Sequence, residues 1–390
     1  MKNVFKKAVS VILCLVVAVG LYPINAYAAD TSKKNEYTLE ANVARKDKIQ
    51  NQGEINWYTF TMPEDGSVSF DFSPDMVQLI ASKGGSFNVN VYDVDYNKLD
   101  SVIYSKNAYT TDNYNFVKGT VFYVSVETSY GNQGVGVEYS LIANYHTLDN
   151  WEIEDLAAPR KVTTLSNKTA THGNMYCSKD EDVFQYKVPA NGPTKFVFGF
   201  PKYDEKAIQY GWQITISDAN NTEICSNKVK TKYTSQILNF KKGTTLRVTV
   251  KSYFPSAAPV GVEYTLTPQT TASSSWEVEG NDSFAKATKI TSKKKGTLYK
   301  FDDSDYYVYK AAGSKCQVKL TSNDSTDKIK NGWRVRVYDK NKKLIKDFYT
   351  NSASSATFKT KKNQKYYIVI SSSVLTSPVD AIYTLTCKKK

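Results

Sequence analysis

The amino-acid sequence predicts an all-β protein that contains three tandem β-sandwich domains. Three observations predict this fold class. Short strand-like segments recur three times in the same order, roughly 120 residues apart, as expected for internal repeats. Apolar and polar residues alternate within these segments, which is typical of strands with one face on a core and one face in water. Turn signals rich in Asp, Asn, Lys and Gly separate the segments.

The first 28 residues are typical of a secretory signal peptide. Lysines form a positive n-region, an apolar run occupies residues 8–21, and Ala26-Tyr27-Ala28 offers small residues to a signal peptidase. The apolar run is short for a membrane span. We therefore predict cleavage after Ala28, no membrane span, and a mature chain that is secreted, extracellular or loosely associated with the cell surface.

Three kinds of strand define the repeat. The early strand is predicted at residues 57–60, 183–186 and 306–309, the middle strand at 87–93, 212–218 and 333–339, and the closing strand at 137–141, 262–266 and 381–385. These positions divide the chain into a signal peptide (1–28), repeat 1 (29–148), repeat 2 (149–270) and repeat 3 (271–390). Each repeat is long enough to bury its own core.

Two features of the repeats carry further expectations. Trp212 and Trp333 begin the middle strands of repeats 2 and 3, and we expect both indole rings inside a core. The Thr- and Ser-rich run at residues 270–275 predicts a short flexible linker.

The chain is basic, with a formal net charge of +13. Its lysines are spread over all three repeats, and tight clusters occur only at residues 293–295, 359–362 and 388–390. This pattern leaves two interpretations, a soluble surface or contact with anionic cell-wall polymers. Because a secretory signal precedes the repeats, we predict no nucleic-acid partner.

Four cysteines lie beyond the predicted signal peptide: Cys177 and Cys225 in repeat 2, and Cys316 and Cys387 in repeat 3. Export permits disulfide bonds, and an even number per repeat suggests one bridge in each. Free buried thiols are the alternative, and the spacing does not decide between them.

The start of repeat 3 carries a family resemblance. It reads Trp276-Glu277-Val278-Glu279-Gly280-Asn281-Asp282, and the strand segment Asp305-Tyr306-Tyr307 follows. This pattern resembles the bacterial pre-peptidase C-terminal domain family, whose collagenase members bind collagen and calcium. The resemblance covers all of repeat 3 and reaches repeats 2 and 1 more faintly. It implies a jelly-roll-like β-sandwich for each repeat.

Calcium takes six to eight oxygen ligands, many of them carboxylates, and acidic residues are concentrated at the start of repeat 3. These acids could also be a solvated linker. The resemblance implies that calcium is bound by Glu277, Glu279, Asn281, Asp282, Asp302 and Asp305, with Asp303 as a substitute. Because the pattern decays from repeat 3 to repeat 1, we expect the metal to be structural rather than catalytic.

The other two repeats depart from this pattern. Repeat 2 keeps Trp151-Glu152-Ile153-Glu154 and Asp180-Glu181-Asp182, but has Asp155-Leu156-Ala157 where the Asn-Asp pair would stand, so we expect a weakened site. Repeat 1 has Glu54-Ile55-Asn56 before its early strand, and we expect no calcium there.

Catalysis is not predicted. The chain has two histidines, His146 and His172, and lacks a G-x-S-x-G elbow, an H-E-x-x-H helix and a phosphate-binding loop. Nucleophilic catalysis by serine or cysteine usually needs a histidine base that a third group holds in place. We therefore assign no catalytic residues and no organic cofactor.

We predict a secreted, non-catalytic binding or adhesion protein, a monomer that recognises an extracellular polymer or protein surface. This function requires an exposed aromatic or basic patch. Tyr203, Tyr210, Tyr233 and Tyr253 are candidates for such a patch, although most tyrosines are expected to pack inside the sandwiches. The alternative is a structural or chaperone-like accessory to a secreted partner such as a protease, which predicts a smooth polar surface.

Overall fold

The computed structural model describes residues 34–82, 85–105, 107–129, 133–154, 162–201, 208–300, 302–324, 329, 332–373 and 380–390. The predicted signal peptide lies outside these residues. No helix within the described part of the chain has the length and apolar character to cross a bilayer. The fold is almost entirely β, as predicted, and consists of three pairs of sheets that follow one another along the chain.

Repeat 1 contains ten strands: β1 (Lys34–Thr38), β2 (Arg45–Lys48), β3 (Ile55–Thr61), β4 (Gly66–Pro74), β5 (Phe87–Tyr92), β6 (Lys98–Ser105), β7 (Tyr109–Thr110), β8 (Tyr114–Phe116), β9 (Val121–Thr128) and β10 (Glu138–His146). They form sheets of order β1-β3-β9-β5-β6 and β2-β10-β4-β7, with β8 paired to β4. A short helix, α1 (Met76–Ala81), was not predicted; its N-cap is Asp75, whose side chain accepts hydrogen bonds from Val77 N and Gln78 N.

Repeat 2 contains nine strands: β11 (Thr163–Thr164), β12 (Thr171–Gly173), β13 (Glu181–Lys187), β14 (Thr194–Gly199), β15 (Trp212–Asp218), β16 (Glu223–Val229), β17 (Tyr233–Thr234), β18 (Thr245–Ser252) and β19 (Tyr264–Thr270), with a 3-10 turn at Pro255–Ala257. The sheet orders are β11-β13-β18-β15-β16 and β12-β19-β14-β17.

Repeat 3 also contains nine: β20 (Thr288–Ile290), β21 (Lys293–Gly296), β22 (Ser304–Lys310), β23 (Lys315–Ser322), β24 (Trp333–Tyr338), β25 (Leu344–Thr350), β26 (Ala353–Lys359), β27 (Lys365–Ser372) and β28 (Tyr383–Lys389). The sheet orders are β20-β22-β27-β24-β25 and β21-β28-β23-β26. The early strands β3, β13 and β22 are equivalent, because each pairs in parallel with the first strand of its repeat and antiparallel with the late strand β9, β18 or β27.

Each pair of sheets encloses its own apolar core. Trp212 and Trp333 are fully buried, which confirms their predicted position. The Trp212 ring packs on Phe198 with 5.6 Å between ring centroids, and the Trp333 ring packs on Tyr383 at 6.2 Å. Both tryptophans therefore fill the space between the two sheets of their repeat.

Successive repeats make equivalent contacts at both junctions. Phe116 of repeat 1 packs edge-on against Tyr176 of repeat 2, with 5.3 Å between ring centroids. In the same way Phe240 of repeat 2 contacts Tyr299 of repeat 3 at 5.8 Å. The repeated geometry indicates that both junctions are packed interfaces.

The linker between repeats 2 and 3 is short, but it is hydrogen-bonded rather than flexible, contrary to the prediction. Thr271 N donates to Pro193 O (3.0 Å) and Ser273 N donates to Asn191 O (2.9 Å), which ties the linker to repeat 2. Ser275 O accepts from the backbone of β21 at 2.8 Å, which ties it to repeat 3. Composition alone did not reveal these backbone partners.

All four cysteines are free thiols in this structure, so the suggested bridges are not formed. Cys316 and Cys387 lie on the adjacent strands β23 and β28, but Cys316 is opposite Lys389 and Cys387 is opposite Val318. Diagonal neighbours of this kind are about 7–8 Å apart, beyond the Cα separation of about 4.4–6.8 Å that a disulfide usually requires. Both thiols are instead buried in the core.

We predict that Gly211→Ala and Gly332→Ala strongly destabilise repeats 2 and 3. Both glycines precede the core tryptophans at positive φ, +76° and +71°. A Cβ atom would lie 2.1 Å from Val229 O at Gly211 and 2.2 Å from Thr350 O at Gly332. We expect a loss of about 2–5 kcal/mol in the free energy of unfolding, measured by urea denaturation.

Gly243→Ala is the matched control. Gly243 also has a positive φ, +87°, but a Cβ atom added there would have no neighbour within 4 Å. Only the backbone conformation is strained by this change, so the expected loss is about 1–2 kcal/mol. Equal losses in all three variants would show that the close backbone approach is unimportant.

Candidate metal centres at the repeat junctions

The opening segment of repeat 3, residues 276–282, carries most of the predicted ligands. Glu277 N donates to a carbonyl of β21 (2.8 Å), and Glu279 N donates to Asn239 O in repeat 2 (2.8 Å). Burial alternates along this segment: Val278 and Gly280 are partly or fully exposed, whereas Glu277, Glu279 and Asn281 face the interior. All three side chains are buried, with 0%, 8% and 2% of their surface exposed.

The beginning of β22 supplies the opposite side of the site. Asp303 and Asp305 are both buried. The carboxylate of Asp305 accepts a hydrogen bond from the Tyr383 hydroxyl, and Asp303 Oδ2 accepts one from Tyr299 N at 3.1 Å. These bonds hold one oxygen of each carboxylate and leave the other oxygen directed elsewhere.

The opening segment and β22 together form a compact acidic cluster. Glu277, Glu279 and Asp305 each offer a carboxylate oxygen within 4.8 Å of the others, and Glu279, Asp282 and Asp303 form a second, overlapping group. The side chain of Asn281 contacts Asp305. Five of the six predicted ligands are therefore brought together by the fold: Glu277, Glu279, Asn281, Asp282 and Asp305.

Asp302 is the predicted ligand that the structure places outside the cluster. Its side chain is 56% exposed and its Oδ1 lies 3.4 Å from Lys300 Nζ. Asp303 occupies the cluster instead. Alternation along β22 explains the difference, because Asp303 and Asp305 share the inward face with the buried Tyr307, whereas Asp302 falls on the opposite face.

The electrostatics of the cluster favour a cation. Burial, and next the charge of Asp305, raise the pKa of Glu277 well above its usual value. Burial and Glu277 do the same to the pKa of Glu279, and burial and Asp303 raise the pKa of Asp305. Burial also raises the pKa of Asp303 to about 6. Like charges in a buried site repel one another, and a divalent cation would reverse this effect.

Unpartnered oxygens provide a direct test of whether a cation fits. Both carboxylate oxygens of Glu277 and of Glu279 are buried without a hydrogen-bond partner, as are Asp303 Oδ1, Asp305 Oδ1 and Asn281 Oδ1. Leaving such atoms unpaired is costly, and buried charges are normally paired or bound to metal. The donors are all oxygens, the set that calcium prefers, so the residues fit a calcium ion.

Repeat 2 builds the same arrangement at its junction with repeat 1. Glu152 N donates to His172 O in β12 (2.8 Å), and Glu154 N donates to Asn115 O in repeat 1 (2.7 Å). Glu152, Glu154 and Asp182 form a buried group with ligand oxygens within 4.8 Å of one another.

The charges in this second cluster behave as in repeat 3. Burial, followed by the charge of Asp182, raises the pKa of Glu152 well above its usual value. Burial and Glu152 likewise raise the pKa of Glu154. Asp180 Oδ2 accepts from Tyr176 N at 2.9 Å, just as Asp303 accepts from Tyr299. The predicted departure at residues 155–157 lies outside the described residues.

Repeat 1 satisfies the equivalent positions with amides. Glu54 is buried, and its oxygens accept hydrogen bonds from Asn35 Nδ2 and from Gln50 N and Asn51 N. Asn56 stands where repeats 2 and 3 have Asp182 and Asp305, and its amide donates to Tyr139 OH at 2.7 Å. The Glu54 oxygens, which could otherwise bind a cation, already accept these hydrogen bonds.

An aromatic platform lies on the outer face of repeat 1 and was not predicted. Trp57, Tyr92 and Tyr123 project outward from β3, β5 and β9, and Tyr96 lies over them from the turn after β5. The Tyr96 ring stacks on Tyr123 with centroids 4.8 Å apart and 4° between planes, and its distance to Trp57 is 5.9 Å. Tyr96 is 54% exposed.

The same face differs in repeat 3. There Phe284 packs edge-on against Tyr306, Tyr338 and Tyr367 at 5.0–5.3 Å between ring centroids, and Lys342 Nζ lies 5.4 Å from the Phe284 ring centre. Repeat 3 therefore covers its aromatic face with its own chain. The sequence signal for the platform was an aromatic residue at an outward position in each of the strands β3, β5 and β9.

Repeat 2 exposes a smaller aromatic patch that includes two of the predicted candidates. The Tyr210 and Phe254 rings are 4.9 Å apart, and Lys228 Nζ lies 3.7 Å from the ring centre of Tyr253. Tyr253 is 43% exposed and Phe254 is 47% exposed. Among the other candidates, Tyr203 lies outside the described residues.

Neither histidine is arranged as a catalytic base toward a nucleophile in the described contacts. His172 Nδ1 lies 2.6 Å from Glu263 Oε1, and the imidazole stacks on Trp151 with ring centroids 5.3 Å apart. His146 ends β10 and is exposed.

No family model matches the chain, and no curated protein matches it. Among solved structures, the chain is similar to the pre-peptidase C-terminal domain of collagenase from Bacillus anthracis, with 18% identity over 26% of this chain and 92% of that one and a TM-score of 0.21. It is also similar to the tandem CBM51 modules of a family 98 glycoside hydrolase from Streptococcus pneumoniae, with 8% identity over 52% and 80% of the two chains and a TM-score of 0.18.

A third similar structure is the triple jelly roll of an archaeal virus turret, with 8% identity over 90% of this chain and 89% of that one and a TM-score of 0.21. The resemblance to the pre-peptidase C-terminal family therefore stays a resemblance. Such a domain is among the similar structures, but identity and TM-score are both low.

Proposed function

We propose that this protein is a secreted, non-catalytic binding protein whose second and third repeats are stabilised by calcium. The observation that carries the calcium role is the set of buried, unpartnered oxygens around Glu277, Glu279 and Asp305. Calcium is assigned a structural role because the carboxylates are buried and the segment that carries two of them is hydrogen-bonded to the preceding repeat. The smaller group around Glu152 and Glu154 is proposed to bind a second ion.

The aromatic platform of repeat 1 is proposed as the contact surface for an extracellular polymer or protein. Tyrosine and tryptophan are rigid and amphipathic, so their exposed faces bind ligands with little loss of conformational entropy. Tyr96 adopts a positive φ of +59° in the turn after β5, a conformation that the equivalent turn residues of repeats 2 and 3 share, so the turn itself sets the position of the Tyr96 ring. An accessory protein with a smooth polar surface would not need this platform.

Calcium is expected to raise the melting temperature of the mature chain, residues 29–390. A ligand that binds only the folded state at about 100 times its Kd contributes about 2.7 kcal/mol, which raises Tm by several degrees. The double variant Glu277→Gln with Glu279→Gln should lose the part of this increase that repeat 3 contributes, because it removes two buried carboxylates. Calorimetry in millimolar calcium and in chelator measures both effects.

Asp302→Asn and Asp303→Asn form a matched pair for this experiment. The exposed Asp302 should be dispensable, so its variant should keep the full calcium response, whereas Asp303→Asn should reduce it. An identical wild-type Tm in calcium and in chelator would contradict the calcium role. A response lost only in Asp302→Asn would contradict the arrangement of the site.

Tyr96→Asn tests the binding surface. Asn221 occupies the equivalent turn position in repeat 2 at a φ of +63°, so asparagine suits this backbone and the variant should fold normally. Removal of the ring should weaken adsorption of the protein to its target roughly tenfold or more. Co-sedimentation with purified peptidoglycan, fibrillar collagen and insoluble mucin measures the change.

Lys342→Asn is the control, because Lys342 holds the same turn position in repeat 3. It should bind as wild type does. If the wild-type protein adsorbs to none of the three materials, the binding proposal is contradicted and the accessory role is favoured. If both variants lose adsorption equally, the loss is not specific to the Tyr96 ring, and the platform is not the binding surface.

A further inference from the structure

The outer face of one sheet in repeat 3 contains lysines from all three clusters in the sequence. This sheet consists of β21, β28, β23 and β26, in that order. Along each strand the more buried side chains alternate with exposed or partly exposed ones that face outward. Six of the outward positions are exposed lysines, and together they define the lysine face: Lys293, Lys295, Lys315, Lys319, Lys359 and Lys388.

Strand pairing places these lysines close to one another. Lys315 lies directly opposite Lys359 in the pairing of β23 with β26. Thr386 of β28 lies opposite Lys293 on one side and opposite Lys319 on the other. Neighbouring strands are about 4.8 Å apart and alternate residues of a strand are about 6.8 Å apart, so the Cα atoms of the six lysines occupy an area of roughly 15 by 20 Å.

The lysine face has no negative charge of its own. Among the described residues, none of the six lysines takes part in a salt bridge. Like charges directly opposite each other on a sheet, such as Lys315 and Lys359, destabilise the strand pairing. An anionic partner would remove this cost. The other outward residues of the four strands are uncharged: Gln317, Thr321, Ala353, Ser355, Thr357, Thr384 and Thr386.

The corresponding face is not basic in the other two repeats. In repeat 1, β2 carries Lys46 and Lys48, but Glu138 lies opposite Lys48 and Asp71 lies on β4, two strands from β2 in the same sheet. In repeat 2, the described strands β12, β19, β14 and β17 carry a single outward lysine, Lys195. The lysine face is therefore a property of repeat 3 and not of the shared sandwich.

We propose that the lysine face binds a linear polymer of polyol phosphates, whose phosphate diesters contact the ammonium groups. This surface is distinct from the aromatic platform of repeat 1 and from the acidic clusters. Lysine binds phosphate as a point charge, whereas arginine, which is absent from the outward positions of these strands, suits planar carboxylates. Hydroxyl and amide side chains such as Thr386 and Gln317 donate hydrogen bonds to phosphate oxygens.

The chemistry of the lysine face favours a polymer over a bilayer surface. Proteins that lie on membranes place aromatic or large apolar side chains into the interface. The outward positions of these four described strands carry no such side chain. Trp276 flanks the face at its β21 edge, where the ring is partly buried and its centre lies 6.0 Å from Lys295 Nζ. An extended chain can instead lie across several lysines at once.

The test measures binding of the mature chain, residues 29–390, to purified poly(glycerol phosphate) at several salt concentrations. One variant combines Lys315→Gln, Lys319→Gln and Lys359→Gln, which removes three charges from the face. At about 0.15 M salt it should bind at least about tenfold more weakly than the wild type, because each lysine that contacts a phosphate releases counterions. The steepness of the plot of log affinity against log salt concentration should fall by about 2–3.

Lys310→Gln, Lys340→Gln and Lys346→Gln form the matched control in a second triple variant. These lysines are exposed too, but they lie on β22, on β25 and in the turn between β24 and β25, which belong to the other sheet of repeat 3. The control loses the same net charge and should keep the salt dependence and, within about threefold, the affinity of the wild type. Thermal melting followed by circular dichroism shows that both variants fold.

Three further ligands separate the polymer from other anions: hyaluronan, which carries carboxylates, vesicles of phosphatidylglycerol, which present phosphate diesters on a bilayer, and duplex DNA. The wild type should bind all three more weakly than poly(glycerol phosphate), and Tyr96→Asn should bind this polymer as the wild type does. Tighter binding to any of the three, or equal weakening in the two triple variants, would overturn the proposal. So would a wild type that does not bind poly(glycerol phosphate), or a loss in Tyr96→Asn as large as that in the face variant.

Discussion

The need to compensate buried carboxylate oxygens is the constraint on which both repeat junctions depend. In repeat 3, the opening segment buries Glu277 and Glu279, and the chain entering β22 places Asp303 and Asp305 beside them. Together the two elements bury four acids. Like charges in a low-dielectric site repel one another, so these carboxylates need a compensating partner. The same constraint explains why the opening segment is bonded on both sides, to β21 and to the preceding repeat.

Repeat 1 shows a second chemical solution to the same problem. Its early strand has Asn56 where the other repeats have aspartate, and Asn35 and backbone amides satisfy the single acid, Glu54. Amide donors compensate one carboxylate without any ion. The three sandwiches therefore share a topology but differ in how they stabilise the beginning of the early strand.

Much of this architecture was predictable because it depends on local periodicity. Alternation revealed the repeated strands and the buried tryptophans, and the concentration of acids revealed most of the cluster. Choosing Asp303 rather than Asp302 required knowing which alternate residues of β22 face the interior. Tyr307 could have indicated this, because a large aromatic residue on the strand is expected to face the core. Helix α1 was missed because six residues carry too little periodic signal. The linker contacts and the hydrogen bonds that the Asn115 and Asn239 backbones accept depend on how one repeat meets the next, which no local pattern encodes.

The hydrogen bonds from Glu154 N to Asn115 O and from Glu279 N to Asn239 O give the array a direction. The opening segments of repeats 2 and 3 each bond to the repeat before them, whereas Glu54 of repeat 1 is satisfied by residues of its own repeat. Because synthesis proceeds from the N-terminus, every unit emerges after the surface that receives it has been made. Assembly can therefore proceed in the order of translation. Deleting repeats from the C-terminal end would leave finished units, but deleting them from the N-terminal end would leave an exposed acidic junction.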